Sequence, residues 1–175
     1  MPGAVADAST LISLGAIGRL ELLHVFHGKI MVPPAVWREV VEDGQGRPGT
    51  AEVEEARRAG WIEVVVPRNT DLVTLLKRDL DDGEAEAIAL AVERRADIIF
   101  LDEAEARRTA ALYRIPRAGT VGVLLRAKLT GRIPSLRAEL DRLLRERGFY
   151  LPGAVYRRVL QEAGPPTLPH GSGRR

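Results

Sequence analysis

Short apolar runs alternate with helical patterns along most of this chain, and two of the runs stop on an aspartate. The run 3–6 ends in Asp7, and the run 98–101 ends in Asp102. Apolar runs of this length between turn signals read as buried strands. Strands that alternate with helices favour a parallel sheet covered by helices, an α/β fold. In open parallel sheets the ligand crevice lies beyond the carboxyl ends of the strands, where both aspartates stand.

The remaining elements follow the same alternation. Ser9 opens a helical pattern through Leu11, Ile12, Leu14 and Ile17, and a second pattern through Phe26 closes at Gly28. Residues 29–32 read as a strand stopped by Pro33 and Pro34, and Pro34 suits the first turn of a helix that runs to Asp43 and Gly44. A Gly/Pro loop leads to a charged helix over 50–59, and 61–66 is β-rich up to Pro67. An alanine-rich helix is predicted over 84–95, then a helix over 103–113, a short strand within 116–119 and a helix over 120–130. Two more amphipathic helices, near 135–147 and 153–163, follow with no strand between them. The expected organisation is a core over 1–131, a helical extension of the same domain over 132–164, and a disordered tail over 165–175.

A chain of 175 residues fits one such domain, and 45 % hydrophobic with 29 % charged residues requires a packed fold. The absence of cysteine excludes disulfides, thiolate metal sites and thiol nucleophiles. No basic segment followed by a long apolar run opens the chain, and a cytoplasmic location is expected. The formal charge of +2 hides segregation: Arg107, Arg108, Arg114, Arg117, Arg126, Lys128 and Arg132 follow one another, whereas acids crowd 79–86. Such asymmetry suits an anionic partner, although any single arginine also serves a solvated helix face.

Three motifs carry little. Gly44-Gln-Gly-Arg-Pro-Gly49 matches GxGxxG but follows a helix and contains a proline, so it lacks the strand–turn–helix setting of a dinucleotide site. His24 and His27 have no third His or Cys nearby to complete a zinc site. Covalent hydrolase chemistry has neither a serine elbow nor a cysteine.

The acids are more informative. Asp7 and Asp102 also suit helix N-caps, and Glu84, in the first turn of the alanine-rich helix, also suits the helix dipole. Periodicity does not choose between Glu39 and Glu42 on the helix that Pro34 begins. If several of these carboxylates converge, their repulsion is relieved by raised pKa values or by bound cations. An all-oxygen set suits Mg²⁺ or Mn²⁺, and such ions beside basic side chains point to phosphodiester hydrolysis.

Five segments together resemble the PIN-domain nucleases, and among them the VapC-like branch with a C-terminal helical extension. They are Asp7-Ala-Ser-Thr-Leu-Ile-Ser-Leu14, Val32-Pro-Pro-Ala-Val-Trp-Arg-Glu39-Val40, Asp82-Gly-Glu84-Ala-Glu-Ala-Ile-Ala-Leu-Ala91, Leu101-Asp102-Glu-Ala-Glu-Ala-Arg107 and Gly119-Thr120-Val-Gly-Val-Leu124. The trailing Arg147-Gly-Phe-Tyr150 and the final helix resemble the ending of that branch. The resemblance implies a three-layer α/β/α sandwich and a catalytic set of Asp7, Glu39, Glu84 and Asp102. It breaks the tie between Glu39 and Glu42.

By the same resemblance Asp7, Glu84 and Asp102 would hold Mg²⁺ or Mn²⁺, with Glu103 and Glu105 the candidates for a further ligand and Glu105 the one retained. Ser9 and Thr120 match polar positions near the pocket, and Arg107 a basic one that would hold phosphate. What is implied is an endoribonuclease cutting by a metal-activated water, the toxin of a toxin–antitoxin pair, held by a small antitoxin and forming a homodimer. The alternative is a PIN fold that binds RNA or a partner with little catalysis.

Overall fold

The computed structural model describes residues 3–166, and most of the expected tail lies outside the described residues. The chain divides into two compact units, Met1–Thr120 and Val121–Arg175. The first unit holds a five-stranded parallel sheet: β1 (Ala4–Ala6), β2 (Ile30–Val32), β3 (Ile62–Val64), β4 (Ile98–Phe100) and β5 (Arg117–Ala118). Strand order is β3-β2-β1-β4-β5, every pairing is parallel, and helices cover both faces, as the alternation predicts.

The order itself locates the crevice. From β1 the chain builds outward through β2 and β3, then returns to the other side of β1 for β4 and β5. The reversal falls between β1 and β4, and loops leaving the carboxyl ends of two such strands diverge to opposite faces and leave a gap. Ala6 pairs with Phe100, and the Asp7 N–H donates to Phe100 O at 3.1 Å, so register holds to the edge of that gap.

Helices α1 (Ala8–Ala16), α2 (Glu21–His27), α3 (Pro34–Trp37), α4 (Thr50–Arg58), α5 (Thr70–Leu76), α6 (Asp82–Arg94) and α7 (Ala104–Leu112) belong to this unit. Leu11, Leu14, Ile30, Ile88, Leu90, Ile99 and Phe100 are fully buried. Each such side chain contributes roughly 1.5–3 kcal/mol relative to exposure. Helix α6 buries Ala85, Ala87, Ala89 and Ala91 and packs on β1 and β4, its small side chains allowing close approach.

Its acids have separate duties. Asp81 and Glu84 form a capping box: the Glu84 N–H donates to Asp81 Oδ1 at 2.8 Å, and the Asp81 N–H donates to Glu84 Oε2 at 3.3 Å. Glu86 Oε2 accepts the Ala35 N–H at 2.8 Å and so anchors the start of α3. Glu93 Oε2 accepts the Arg68 N–H at 2.7 Å, ahead of α5.

Sequence periodicity predicts one continuous helix from Pro34, whereas the structure shows α3 followed by a π-helical turn, Arg38–Glu42. Such a turn disturbs the regular ladder, and buried Thr50 supports it, its Oγ1 lying 2.9 Å from Val40 O and 2.7 Å from Gly44 O. A Cβ on Gly44 would lie 2.2 Å from Val40 O, so this glycine serves chain packing. The GxGxxG match therefore closes a helix and seats the next one.

The histidines are also accounted for. His24 stacks on Trp61 at 5.0 Å between ring centroids, and its Nδ1 lies 2.6 Å from Gly28 O. His27 meets Phe100 edge-on at 5.2 Å.

In the second unit, α8 (Thr120–Leu129), which begins on the last residue of the first, is followed by α9 (Leu136–Arg142) and α10 (Gly153–Ala163). The helix expected over 135–147 is α9 continued by a second π-helical turn, Leu143–Arg147. Among the described residues no single helix is long and apolar enough to cross a membrane.

Candidate functional site

Asp7 follows β1 directly and is only 3 % exposed. Its Oδ1 accepts the Thr10 N–H at 3.0 Å, so it caps α1. Burial pushes its carboxyl well above the usual carboxylate range; the charges of Asp102 and, less strongly, Glu84 push the same way, against hydrogen bonds from Thr10. A cap alone would be indifferent to those two charges. The cap and the cluster are therefore the same side chain.

Asp102, two residues past β4, is held by three donors. The Thr120 N–H donates to Oδ1 at 2.7 Å, the Thr120 hydroxyl to Oδ2 at 2.7 Å, and the Thr10 hydroxyl to Oδ2 at 3.3 Å. Thr10 is fully buried and touches both aspartates, one through its backbone and one through its side chain. Sequence reading singles out Thr120 and passes over Thr10. The only available signal is its place three residues after Asp7, which any capped helix would share.

Gly119 directly follows β5 and packs against the segment that leaves β4. A Cβ there would lie 2.8 Å from Asp102 Oδ1, 2.9 Å from Arg107 Nη1 and 3.2 Å from Leu101 O. Arg107 is half-buried, and its Nη1 donates to Leu101 O at 3.5 Å. Arg108 instead forms an exposed ion pair with Glu105.

Glu84 is 9 % exposed, and its carboxyl is raised by burial first, then by Asp81, Glu103 and Glu39, against a backbone hydrogen bond from Asp81. Glu39 Oε2 lies 3.3 Å from where a Cβ on Gly83 would be, whereas Glu42 faces Arg38 at 4.0 Å. Of the tied pair, Glu39 is the one brought to α6.

The structure thus gathers Asp7, Glu84 and Asp102 electrostatically, with Glu39 beside Glu84 and with Thr10, Thr120 and Arg107 around Asp102. It does not bring Glu105 to this group, and Glu103 and Asp81 act on Glu84 instead. Ser9 lies half-buried in the first turn of α1 and makes no hydrogen bond to these carboxylates among the described residues.

Among the described residues no three of these carboxylates stand in a geometry that would hold a cation as they are. Asp102 is already engaged by hydroxyl and amide donors, and Glu84 folds back on the Asp81 N–H. The donor chemistry nevertheless fits a hard divalent ion: oxygen ligands only, and excess negative charge in a desolvated place.

Thr10→Val keeps the shape of the side chain and removes one donor to Asp102. If the site cuts phosphodiesters as the resemblance implies, a loss of about 2- to 13-fold in cleavage rate is expected, which corresponds to roughly 0.5–1.5 kcal/mol for one hydrogen bond. Thr10→Ser should restore most of it, and single-turnover rates of the two variants check this.

A parallel α/β sandwich with acids beyond the carboxyl ends of β1 and β4 defines a class of proteins built around a strand-end crevice. Within that class the chain belongs to the PIN domain family: the family model described as PIN domain matches residues 3–165. No curated protein matched the chain in a sequence comparison. PIN domains are generally nucleases that bind nucleic acid and usually use divalent metals.

Proposed function

We propose that the protein is a divalent-metal-dependent endoribonuclease. The observation that carries the reading is the buried Asp7 beside Asp102 at the sheet's reversal point, each carboxylate held by hydrogen bonds from Thr10. Asp7, Glu84 and Asp102 would hold Mg²⁺ or Mn²⁺, with Glu39 next to Glu84. When bound, the ion supplies charge neutralisation at the scissile phosphate and acidifies water. Thr120 and Thr10 fix the Asp102 carboxylate, and Arg107, beside Asp102 and half-exposed, is placed to hold a phosphate oxygen. Products would carry 5′-phosphate and 3′-hydroxyl ends.

The resemblance supports the finer reading of a VapC-like toxin, cytoplasmic and homodimeric, neutralised by a small antitoxin. The test is incubation of labelled single-stranded RNA with Mg²⁺ or Mn²⁺. Cleavage that stops with EDTA and in Asp102→Asn supports the reading, and undiminished cutting by Asp102→Asn overturns the site assignment.

The folded-back Glu84 and the ion-paired Glu105 favour one second reading: a PIN fold that binds RNA or a partner with weak catalysis. Calorimetric titration with Mn²⁺ separates the two, since this alternative requires no carboxylate-dependent uptake.

A further inference from the structure

Charge is unevenly divided between the two units. Residues 121–166 carry nine Lys or Arg against four Asp or Glu, whereas residues 1–120 carry fifteen against twenty. Three of the four acids in 121–166 are engaged internally. Arg142 lies 3.6 Å from Glu139 and 3.3 Å from Glu146, and the Tyr156 hydroxyl donates to Asp141 at 2.7 Å. Arg145 and Arg147 are exposed and have no ion-pair partner among the described residues.

Both lie on the π-helical turn Leu143–Arg147, which ends at Gly148 with φ 65°. The Gly148 and Phe149 N–H groups both donate to Leu143 O, which turns the chain back sharply. Phe149 is half-buried, while the next residue, Tyr150, is 85 % exposed. An exposed ring that follows two exposed arginines without ion-pair partners among the described residues, in one short turn of chain, offers the combination that single strands use, bases stacking while phosphates meet cations.

We propose that 145–150 is a docking strip for single-stranded RNA, with Arg145 and Arg147 on the backbone and Tyr150 stacked on a base. Charge complementarity selects a polyanion, and the choice of RNA rests on the nuclease reading. Binding of a fluorescent single-stranded RNA to the full chain, followed by anisotropy in EDTA to prevent cutting, tests it.

The Arg145→Gln/Arg147→Gln double variant should bind about tenfold more weakly, and the slope of log affinity against log salt should flatten by about 1.4. Tyr150→Ala should lose roughly tenfold with the slope kept. Hydrolysis of bis(p-nitrophenyl) phosphate should stay unchanged in both variants. Unaltered affinity and slope in both variants overturn the proposal, as does absence of RNA binding by the unaltered chain. Conversion of a dimer to a monomer by Tyr150→Ala with RNA affinity retained also overturns it, assigning the ring to self-association. If the unaltered chain binds RNA through this strip yet never cuts it, the nuclease reading falls and the strip stands.

Discussion

Asp7→Asn is expected to lower RNA cleavage by at least about 10²–10³-fold, the scale on which loss of one preorganised electrostatic group registers, and at the same time to make the protein harder to unfold. Asparagine still caps α1, because its side-chain oxygen accepts the Thr10 N–H as aspartate does. What disappears is a charge whose pKa in the fold is raised by burial and by Asp102 and Glu84. A carboxyl with a raised folded pKa holds its proton in the native state after the unfolded chain has released it. Its contribution is therefore favourable below the ordinary carboxylate pKa and is lost as pH rises through the folded value.

The stability difference between Asp7→Asn and the parent should accordingly be small at low pH and grow toward neutrality. In thermal melts each kcal/mol relieved appears as roughly 2–4 °C. Adding Mn²⁺ should reverse the order, raising the melting temperature of the parent and leaving the variant unmoved. A variant less stable than the parent at neutral pH, with α1 intact by circular dichroism, would contradict the account of Asp7.

Gly119→Ala is the second large effect. The added methyl would meet Asp102 Oδ1 at 2.8 Å and Arg107 Nη1 at 2.9 Å. The arginine tip can swing aside, but Asp102 is pinned by Thr120 and Thr10, and Leu101 O is backbone. The Asp102 carboxylate must shift, and in the proposed nuclease site a misplacement of this kind would cost on the order of 10²-fold. The fold should tolerate the change better than the chemistry, with a urea midpoint close to the parent and a cleavage rate far below it. Equal losses in both would assign Gly119 to packing alone.

Much of the fold was legible because its cause is local. Each inner strand is an apolar run stopped by a proline or an acid, and periodicity marks α6 through its alanines and α10 through its amphipathic face. Helix α5 is not legible in the sequence: seven residues with one side-chain cap, Asn69, give too little pattern. The π-helical turns were illegible for another reason. At Arg38–Glu42 the helix shifts register where Thr50, the first residue of α4, takes up Val40 O, so the cause lies in how two successive helices meet and not in the period of either.

The site divides in the same way. Asp7 and Asp102 were readable from their strands, but Glu39 had to be separated from Glu42 by a likeness to other sequences. Its distinction is contact with Gly83, a residue 44 positions away that no helical period encodes. Thr10 carries no local signal because its role depends on Asp102, 92 residues along the chain.

The division of duties on α6 bears on how variants of this protein are to be sorted. Glu84 and Glu86 are two residues apart and chemically identical, so a survey that scores only surviving activity would rank them together. Yet the Glu86 carboxylate holds the first turn of α3, and its removal weakens a joint in the scaffold. A defect of that kind is conditional and fades on cooling or with compensating changes elsewhere. Removing Glu84 takes away the carboxylate that closes the capping box of α6 and, with it, one of the charges acting on Asp7, so the part of the defect that compensating changes in the scaffold do not restore is the part owed to the cluster.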